Sequence, residues 1–343
     1  MSRLDRISAA LAEAKLDGWL FYDFRGSDPI AYRILGLREG EMSTRRWFYF
    51  VPASGEPQAL VSAVEPNRLD QLPGRRTVYR SADEMTAGLR ALLRGAGRVA
   101  MDYSPNCAIP YVSRVDAGTI ELIRGLGVEP VSAADLIQLF EATLDSSQLG
   151  SHRRAALALR EVVDECFGEM AQLVRSGNRC DEFAMQQFVL SRIAAYGLIA
   201  EEPPIVAVNA HSALPHFSPS RENSAPIGRG DFVLLDLWAK EPGPDAIYGD
   251  LTWTAFLDDS VPRDHVKIFS IVAAARDAAV NMVLRKFESG EPISGMDADR
   301  AAREIVEHAG YGDTFVHRTG HSIGREVHGT GANLDSLETL DHR

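Results

Sequence analysis

The sequence has little cysteine, and its three cysteines are scattered along the chain. Cys107, Cys166 and Cys180 form no C-x-x-C pair, which excludes zinc-ribbon and thioredoxin-type motifs. An odd number of scattered thiols is typical of proteins from a reducing compartment. We therefore expect a cytoplasmic protein that folds without disulfide bonds.

Long hydrophobic runs and a basic excess are also missing. No stretch of about 18 apolar residues occurs, so no segment is expected to span a membrane. The first helical stretch contains Asp5 and Glu13 and lacks the apolar core of a signal peptide. The chain has 36 Lys and Arg against 48 Asp and Glu, a net charge of -12. This balance argues against a nucleic-acid partner and an anionic membrane partner.

The length and the apolar content predict two domains. The chain has 343 residues, of which 45% are apolar, and this is enough for two hydrophobic cores. Helical and strand-like segments alternate over residues 1–143, which predicts a mixed α/β domain. The boundary is predicted in LDSSQLGSH (144–152), where a serine pair offers an N-cap for a long amphipathic helix.

Hydrophobic periodicity and turn residues predict the individual elements. The predicted strands are 18–23, 47–51, 59–63, 98–102, 205–209, 232–238 and 247–257. The predicted helices are 3–16, 83–95, 117–126, 133–143, the helix that follows the serine pair, 181–196, 262–288 and 297–309.

Two acidic residues lie inside otherwise apolar predicted strands. Asp236 stands in FVLLDLW and Asp250 stands in YGDLTWT, 14 positions later. A carboxylate in a buried strand is unfavourable unless it is hydrogen-bonded, paired or bound to a cation. Either residue alone is consistent with a structural aspartate at a strand end or in a turn. Two of them on neighbouring strands favour a metal site.

Histidines cluster in two segments. His317, His321 and His328 lie in the glycine-rich stretch HRTGHSIGREVHGTG, and His211 and His216 lie in HSALPHFSP. Neutral imidazole is the commonest nitrogen ligand of transition metals. The spacing differs from the H-E-x-x-H pattern of a zincin helix. Each segment alone also fits a polar loop or a packed histidine. It therefore supports a metal site only in combination with the other segments.

In their order along the chain, these segments resemble the creatinase, prolidase and aminopeptidase P group of metallopeptidases, which has the pita-bread fold. VNAHSALPHFSPSREN resembles the family segment with a cleft histidine, which points to His216. FVLLDLWAK and YGDLTWTAF resemble the strand pair with two metal-binding aspartates, here Asp236 and Asp250. RTGHSIGREVHGTG resembles the segment with a metal-binding histidine, His321, and a catalytic histidine, His328.

The resemblance is strong over residues 145–335 and loose over residues 1–140. It implies an α/β (α+β) fold class, with a creatinase-like N-terminal α/β domain at 1–143 and a pita-bread catalytic domain at 144–343. It also implies an Xaa-Pro dipeptidase or aminopeptidase that hydrolyses the peptide bond before proline. In this family a hydroxide shared by two divalent metals attacks the scissile amide.

The resemblance assigns a role to each site residue. Asp236 would bind one metal, Asp250 would bridge both metals, and His321 would bind the other. His216 and His328 would donate hydrogen bonds to the carbonyl oxygen and the developing oxyanion. Mixed carboxylate and imidazole ligands suit manganese, cobalt, iron or zinc, and the sequence does not select among them. The expected partners are proline-containing peptides or dipeptides and a second copy of the chain in a homodimer.

The sequence departs from the family pattern in three places. The Pro-rich segment KEPGPDAI lengthens the connection between the two aspartates. Trp253 stands where relatives place an arginine, so we expect altered electrostatics beside Asp250. The family also has two glutamate ligands after the histidine segment, whereas Glu338 is the only glutamate after His328. We therefore expect the catalytic domain to be incomplete at Arg343, and this form to be inactive unless the chain is extended.

Two alternatives to the Xaa-Pro peptidase remain open. A catalytically silent binding protein with the same fold is favoured by the missing glutamates and opposed by the intact histidines and aspartates. A creatinase-type C–N hydrolase would act on a guanidino compound without a metal, and the Asp, Asp, His set argues against it. The metal content of the protein separates these possibilities.

Overall fold

The computed structural model of the protein describes residues 2–38, 40, 43–178 and 180–343. The chain forms two compact units. The first contains the chain up to Thr143 together with 294–296 and 335–343, and the second contains 144–293 and 297–334. Among the described residues, no helix is both long enough and apolar enough to cross a lipid bilayer. The assignment of all of residues 144–343 to one catalytic domain stays a prediction.

The first unit is built on a mixed six-stranded sheet. Strands β1 to β6 are Gly18–Asp23, Trp47–Pro52, Gln58–Ser62, Arg75–Tyr79, Arg98–Met101 and Glu129–Ser132. Helices α1 to α5 are Arg3–Glu13, Pro29–Leu35, Ala82–Leu92, Ala117–Gly125 and Ala134–Ile137. The strand order is β4-β3-β2-β1-β5-β6, with β1 antiparallel to β2 and parallel to β5.

Strand β1 is buried on both faces, because two cores pack against the sheet. Trp19 and Phe21 belong to one core, and Leu20 and Tyr22 belong to the other. This follows from the alternation of side chains along a strand. A strand covered on both sides reads as a continuous apolar run, as GWLFY does here.

A pair of fully buried carboxyl groups lies in the first unit. Asp28 caps α2 and accepts a hydrogen bond from the Ala31 amide at 3.1 Å, and Asp102 accepts one from Trp19 Nε1 at 2.9 Å. Burial raises the pKa of Asp102 to about 6. Burial and the neighbouring Asp102 raise the pKa of Asp28 well above its usual range. The two carboxyl groups are therefore electrostatically coupled, and burial favours their protonated forms.

The second unit combines long helices with a three-stranded antiparallel sheet. Its strands β7, β8 and β9 are Ile205–Val208, Phe232–Ala239 and Gly249–Phe256, in the order β7-β8-β9. Helices α6 to α9 are Ser146–Ser176, Glu182–Ala195, Arg263–Ser289 and Gly295–His308, of which α9 begins in the first unit. Apolar residues of α6 and α7 pack on one face of the sheet and form its main core.

Helix α6 begins one residue earlier than the serine pair suggested. Asp145 is its N-cap, and its side chain and that of Gln148 form a reciprocal capping box. The helix lies directly against β9. A Cβ atom added at Gly249 would lie 2.8 Å from the backbone nitrogen of Ala156. Only glycine therefore permits this close approach of the helix to the strand.

The structure confirms the predicted helices and strands of both units, with ends that differ by a few residues. It adds three elements that the sequence reading missed, namely α2, β4 and β6. The segment predicted as one helix over 133–143 is a short α-helical turn, Ala134–Ile137, followed by a π-helical turn, Gln138–Ala142.

Candidate functional site

Asp236 and Asp250 lie on neighbouring strands and on the same face of the second sheet. In the antiparallel register, Asp236 of β8 is opposite Thr252 and Trp238 is opposite Asp250. Since side chains alternate along a strand, all four point to one face, called here the site face. The two aspartates are diagonal neighbours on it, close enough for their side chains to interact. The opposite face of β8 is fully buried against the helices.

Asp236 is held in place by a side chain of the adjacent strand. The Thr252 hydroxyl donates a hydrogen bond of 2.7 Å to Asp236 Oδ1. Burial raises the pKa of the Asp236 carboxyl, and the charge of Asp250 acts in the same direction. The hydrogen bond from Thr252 and the charge of His321 oppose this rise in pKa without cancelling it. Two partly desolvated carboxylates at one spot favour a cation beside them.

His321 approaches the site face from the segment that follows α9. Its Nε2 lies 3.3 Å from Asp250 Oδ2, and its Nδ1 lies 3.0 Å from the Ser322 carbonyl oxygen. Burial by itself lowers the pKa of His321, but the hydrogen bonds to Asp250 and to the Ser322 carbonyl outweigh burial and raise it. A carbonyl accepts only from N–H, so Nδ1 carries a proton. In the neutral ring, Nε2 then presents its lone pair beside the carboxylate.

His328 packs against His321. The two imidazole centroids are 4.4 Å apart, and the rings are inclined by 50°. Burial lowers the pKa of His328, and the nearby charges of His321, Arg318 and His216 lower it further. The His328 ring is therefore biased toward its neutral form, which retains one N–H donor.

His216 is exposed in the first part of the connection between β7 and β8. This part, residues 209–224, is called here the 209–224 loop. The next residue, Phe217, is buried in a small apolar cluster with Ile205 and Ala207 of β7, against which Leu234 and Trp238 of β8 pack. Both of these side chains belong to the site face, because they alternate with the buried residues of that strand. Phe217 thus fixes the loop over the site face, and His216 is close enough to influence the pKa of His328.

Helix α9 supports the histidine segment through a buried ion pair. Asp299, fully buried, pairs with Arg303 and accepts hydrogen bonds from the Thr319 amide at 2.8 Å and the Thr319 hydroxyl at 2.7 Å. Arg303 donates to the carbonyl oxygens of Phe315 and His317. These bonds fix the backbone two residues before His321.

A second buried carboxylate supports the 209–224 loop. Glu182 of α7 accepts hydrogen bonds from the amides of Val208 and Ala225 and lies within hydrogen-bond distance of His211. Sequence reading did not single out Glu182 or Asp299, because an acidic residue near the start of a helix is common there. His211 had been noted only as a possible packed residue.

Two residues that the sequence placed near the site lie elsewhere. His317 is exposed, and its Nδ1 pairs with the Arg318 carbonyl oxygen at 2.7 Å. Trp253 alternates with Asp250 and Thr252, so it lies on the opposite face of the sheet, where the Arg160 guanidinium stacks 4.2 Å from its ring. The expectation of altered electrostatics beside Asp250 assumed that the side chain at position 253 lies next to that aspartate. On the opposite face of the sheet, Trp253 points away from it.

The donor set suits a divalent transition metal. It offers carboxylate oxygens from Asp236 and Asp250 and the imidazole Nε2 of His321, which lies 3.3 Å from Asp250 Oδ2. A metal ion bound by both atoms would replace the proton of that hydrogen bond. Among the described residues, no three His, Cys, Asp or Glu side chains enclose an ion as they stand. Glu338 belongs to the first unit and is exposed.

Comparison with known proteins agrees with this geometry. The profile of metallopeptidase family M24 matches residues 151–341, which contain every site residue named above. The probable dipeptidase PepE of Mycobacterium tuberculosis is 26% identical over 331 residues, which are 95% of this chain and 80% of that protein. The Xaa-Pro dipeptidase of Pyrococcus furiosus is 31% identical over 172 residues, 49% of this chain and 44% of that protein.

Solved structures extend the likeness to the whole chain. Dipeptidase PepE from Mycobacterium ulcerans has a TM-score of 0.68 at 25% identity, and the match covers 98% of this chain and 84% of that one. The prolidase from Pyrococcus horikoshii OT3 has a TM-score of 0.61 at 22% identity, with 99% and 86% covered. The predicted α/β fold class and the resemblance to pita-bread metallopeptidases are confirmed. The chain therefore belongs to metallopeptidase family M24.

Proposed function

We propose that this protein is a metal-dependent dipeptidase that prefers the peptide bond before proline. Its family supports the peptidase chemistry, and relatives named dipeptidase and Xaa-Pro dipeptidase support the substrate class. The observation that carries the proposal is the contact between His321 Nε2 and Asp250 Oδ2 on the site face, with Asp236 beside it. That arrangement collects metal-binding donors from two distant segments of the chain.

We propose that Asp236 and Asp250 would hold one divalent metal, and that Asp250 and His321 would hold the second. The bound metals would supply a Lewis acid for the substrate carbonyl and would lower the pKa of a water molecule. Thr252 keeps the Asp236 carboxylate oriented through its hydrogen bond. The Ser322 carbonyl keeps the His321 ring in the tautomer that directs Nε2 toward the carboxylates.

We assign the two other histidines to the substrate. The lowered pKa of His328 keeps its imidazole neutral, so its N–H is available to the carbonyl oxygen of the scissile bond. As negative charge develops on that oxygen, the hydrogen bond strengthens, and a single good donor of this kind contributes about 3–4 kcal/mol. His216, on the exposed 209–224 loop, is assigned as the second donor on the substrate side.

The finer features are part of the same proposal. We propose two metal ions, with manganese first among manganese, cobalt, iron and zinc, and a homodimer. A cytoplasmic location is supported by the free thiols of all three cysteines. The comparisons do not favour a catalytically silent binding protein or a creatinase-type C–N hydrolase.

The test is an activity assay with controlled metal content. The 343-residue chain, and any longer product of the same reading frame, are stripped with a chelator and restored with each of the four metals in turn. Xaa-Pro dipeptides, Xaa-Pro-Yaa tripeptides, dipeptides without proline and a guanidino compound are then compared as substrates. We expect chelator-sensitive cleavage that is fastest for Xaa-Pro dipeptides. Activity that survives chelation, or its absence from both proteins with every metal, would overturn the proposal.

A further inference from the structure

The two ends of the 209–224 loop are held by one side chain, that of Glu182. Its Oε1 accepts from the Val208 amide at 2.7 Å, just before the loop, and its Oε2 accepts from the Ala225 amide at 2.8 Å, just after it. The Glu182 amide in turn donates to the Ala225 carbonyl oxygen at 3.1 Å. The carboxylate is fully buried, so it binds these amides without competition from water.

The same carboxylate also reaches inside the loop. His211 Nδ1 lies 2.8 Å from Glu182 Oε1 and 3.0 Å from Oε2, so its N–H donates to the carboxylate. The His211 ring stacks on Phe217, with centroids 4.2 Å apart and planes inclined by 28°. Phe217 adjoins His216 in the chain. A continuous set of contacts therefore leads from Glu182 through His211 and Phe217 to His216.

We propose that Glu182 is a positioning residue for His216, acting through His211 and Phe217. The inference rests on the proposed function for the role of His216, but the contacts themselves do not. Each hydrogen bond accepted by the Glu182 side chain comes from the 209–224 loop or from a residue next to it. Loss of this acceptor leaves the buried Val208 amide and the partly buried Ala225 amide without it and frees the loop that carries His216.

The first test is the substitution Glu182→Gln, which preserves the shape of the side chain. One of its two carboxylate oxygens becomes an NH2 group, which then faces an amide donor. Misplacement of a catalytic group by about 1 Å can lower a rate about a hundredfold, so we expect kcat to fall by about tenfold to a hundredfold. KM and metal stoichiometry should stay nearly unchanged. Glu182→Asp keeps the charge and should restore part of kcat.

Val189→Ala is the control for loss of stability alone. Val189 is fully buried on the same helix, in the core of the second unit, and its side chain has no polar group to hydrogen-bond to the loop. We expect this variant to melt at a lower temperature with an unchanged kcat. A similar fall in kcat in both variants would mean that Glu182 only stabilises the fold, and would refute the proposal.

A double substitution tests the route through His216. If Glu182 acts through that histidine, Glu182→Gln should lower kcat no further in a His216→Ala background. Multiplicative losses in the double variant would show that the two residues act independently, which would contradict the proposal.

Amide hydrogen exchange gives a readout that does not need activity. Glu182→Gln should accelerate exchange within 208–225 specifically, and Val189→Ala should not. If the protein cleaves no peptide but the exchange result holds, the proposed function fails while the structural role of Glu182 stands. Unchanged exchange in the 209–224 loop of Glu182→Gln would refute the positioning role, whatever the activity.

Discussion

The imidazoles of His321 and His328 are in contact, but their environments differ, and the proposed function assigns them different roles. His321 has both ring nitrogens engaged, by a carbonyl oxygen and by a carboxylate. His328 has its pKa lowered, first by burial and then by its charged neighbours. An imidazole beside a carboxylate is suited to bind a cation together with it, whereas a neutral imidazole N–H is suited to donate a hydrogen bond to a carbonyl oxygen. Substitution of each residue in turn therefore separates metal binding from catalysis.

For the active form, we expect His328→Ala to lower kcat by on the order of a hundredfold or more, because one transition-state donor is lost. Its metal stoichiometry, measured by elemental analysis, should equal that of the unmodified protein. His321→Ala should instead lose metal first, with activity partly restored by excess metal. Metal loss in His328→Ala, repaired by added metal, would assign His328 to the metal centre.

The buried pair of Asp28 and Asp102 makes the first unit sensitive to pH. Both carboxyl groups have a raised pKa in the folded protein, so the folded state holds a proton that the unfolded state releases. Their contribution to stability is complete below pH 4, near the unfolded pKa. The contribution of Asp102 is lost as the pH rises through about 6, its pKa, and that of Asp28 is lost as the pH rises through its own raised pKa.

We therefore expect Asp102→Asn to stabilise the first unit at pH 8, by on the order of 2 kcal/mol. The asparagine oxygen can still accept from Trp19 Nε1, and the side chain carries no charge to bury at high pH. Thermal unfolding between pH 4 and pH 8, followed by circular dichroism, measures the effect. The advantage of the variant should vanish near pH 4. A difference that is constant with pH would rule out the titration of buried Asp102 as its cause.

At the scale of the elements, the contact between α6 and β9 depends on a single glycine. We expect Gly249→Ala to destabilise the second unit by about 1–3 kcal/mol, because its methyl group meets the backbone of Ala156. Gly168→Ala, within α6, is the control, since nothing lies within 4 Å of a Cβ atom added at Gly168. That variant should be stabilised by up to about 1 kcal/mol. Urea unfolding compares the two, and equal effects would contradict this account.

The elements that the sequence predicted share strong periodicity or a long apolar run. Strand β8, for example, alternates apolar and partly exposed positions over its whole length. The missed elements lack these signals. Strand β4, RRTVY, is mostly exposed at the edge of its sheet, and β6, EPVS, lies at the opposite edge and contains a proline. Helix α2 is short and almost entirely buried, so it has no polar face to reveal a helical period.

The residues of the candidate site also divide into those that the sequence could predict and those that it could not. Asp236, Asp250 and His321 were predictable, because charged or ligand-type residues in unusual contexts attract attention in a sequence. Their role as ligands stays a prediction. Glu182 and Asp299 were not predictable, because their partners are backbone amides distant in the chain. A carboxylate that binds amides leaves no pattern in the residue types around it.

At the scale of the molecule, each unit has its own core, so a ligand can stabilise one without the other. All of the assigned metal ligands lie in the second unit. Binding to the folded state adds about 2.7 kcal/mol when the metal is at a hundredfold excess over its Kd. We expect calorimetry to show that added metal raises the melting temperature of the second unit only, and that Asp250→Asn abolishes the shift. An equal shift of both units would contradict the assignment.

The register of β8 and β9 also gives the protein an optical reporter. Trp238 stands directly opposite Asp250, Trp253 lies on the other face of the same sheet, and Trp19 and Trp47 are buried in the other unit. The indole emission of Trp238 should be quenched by cobalt, whose unfilled d shell accepts excitation energy, and should persist with zinc. Replacement of Trp238 by phenylalanine should remove more of the quenching than replacement of Trp253 by phenylalanine. A fluorescence titration can then count bound ions and rank metals before any substrate is known.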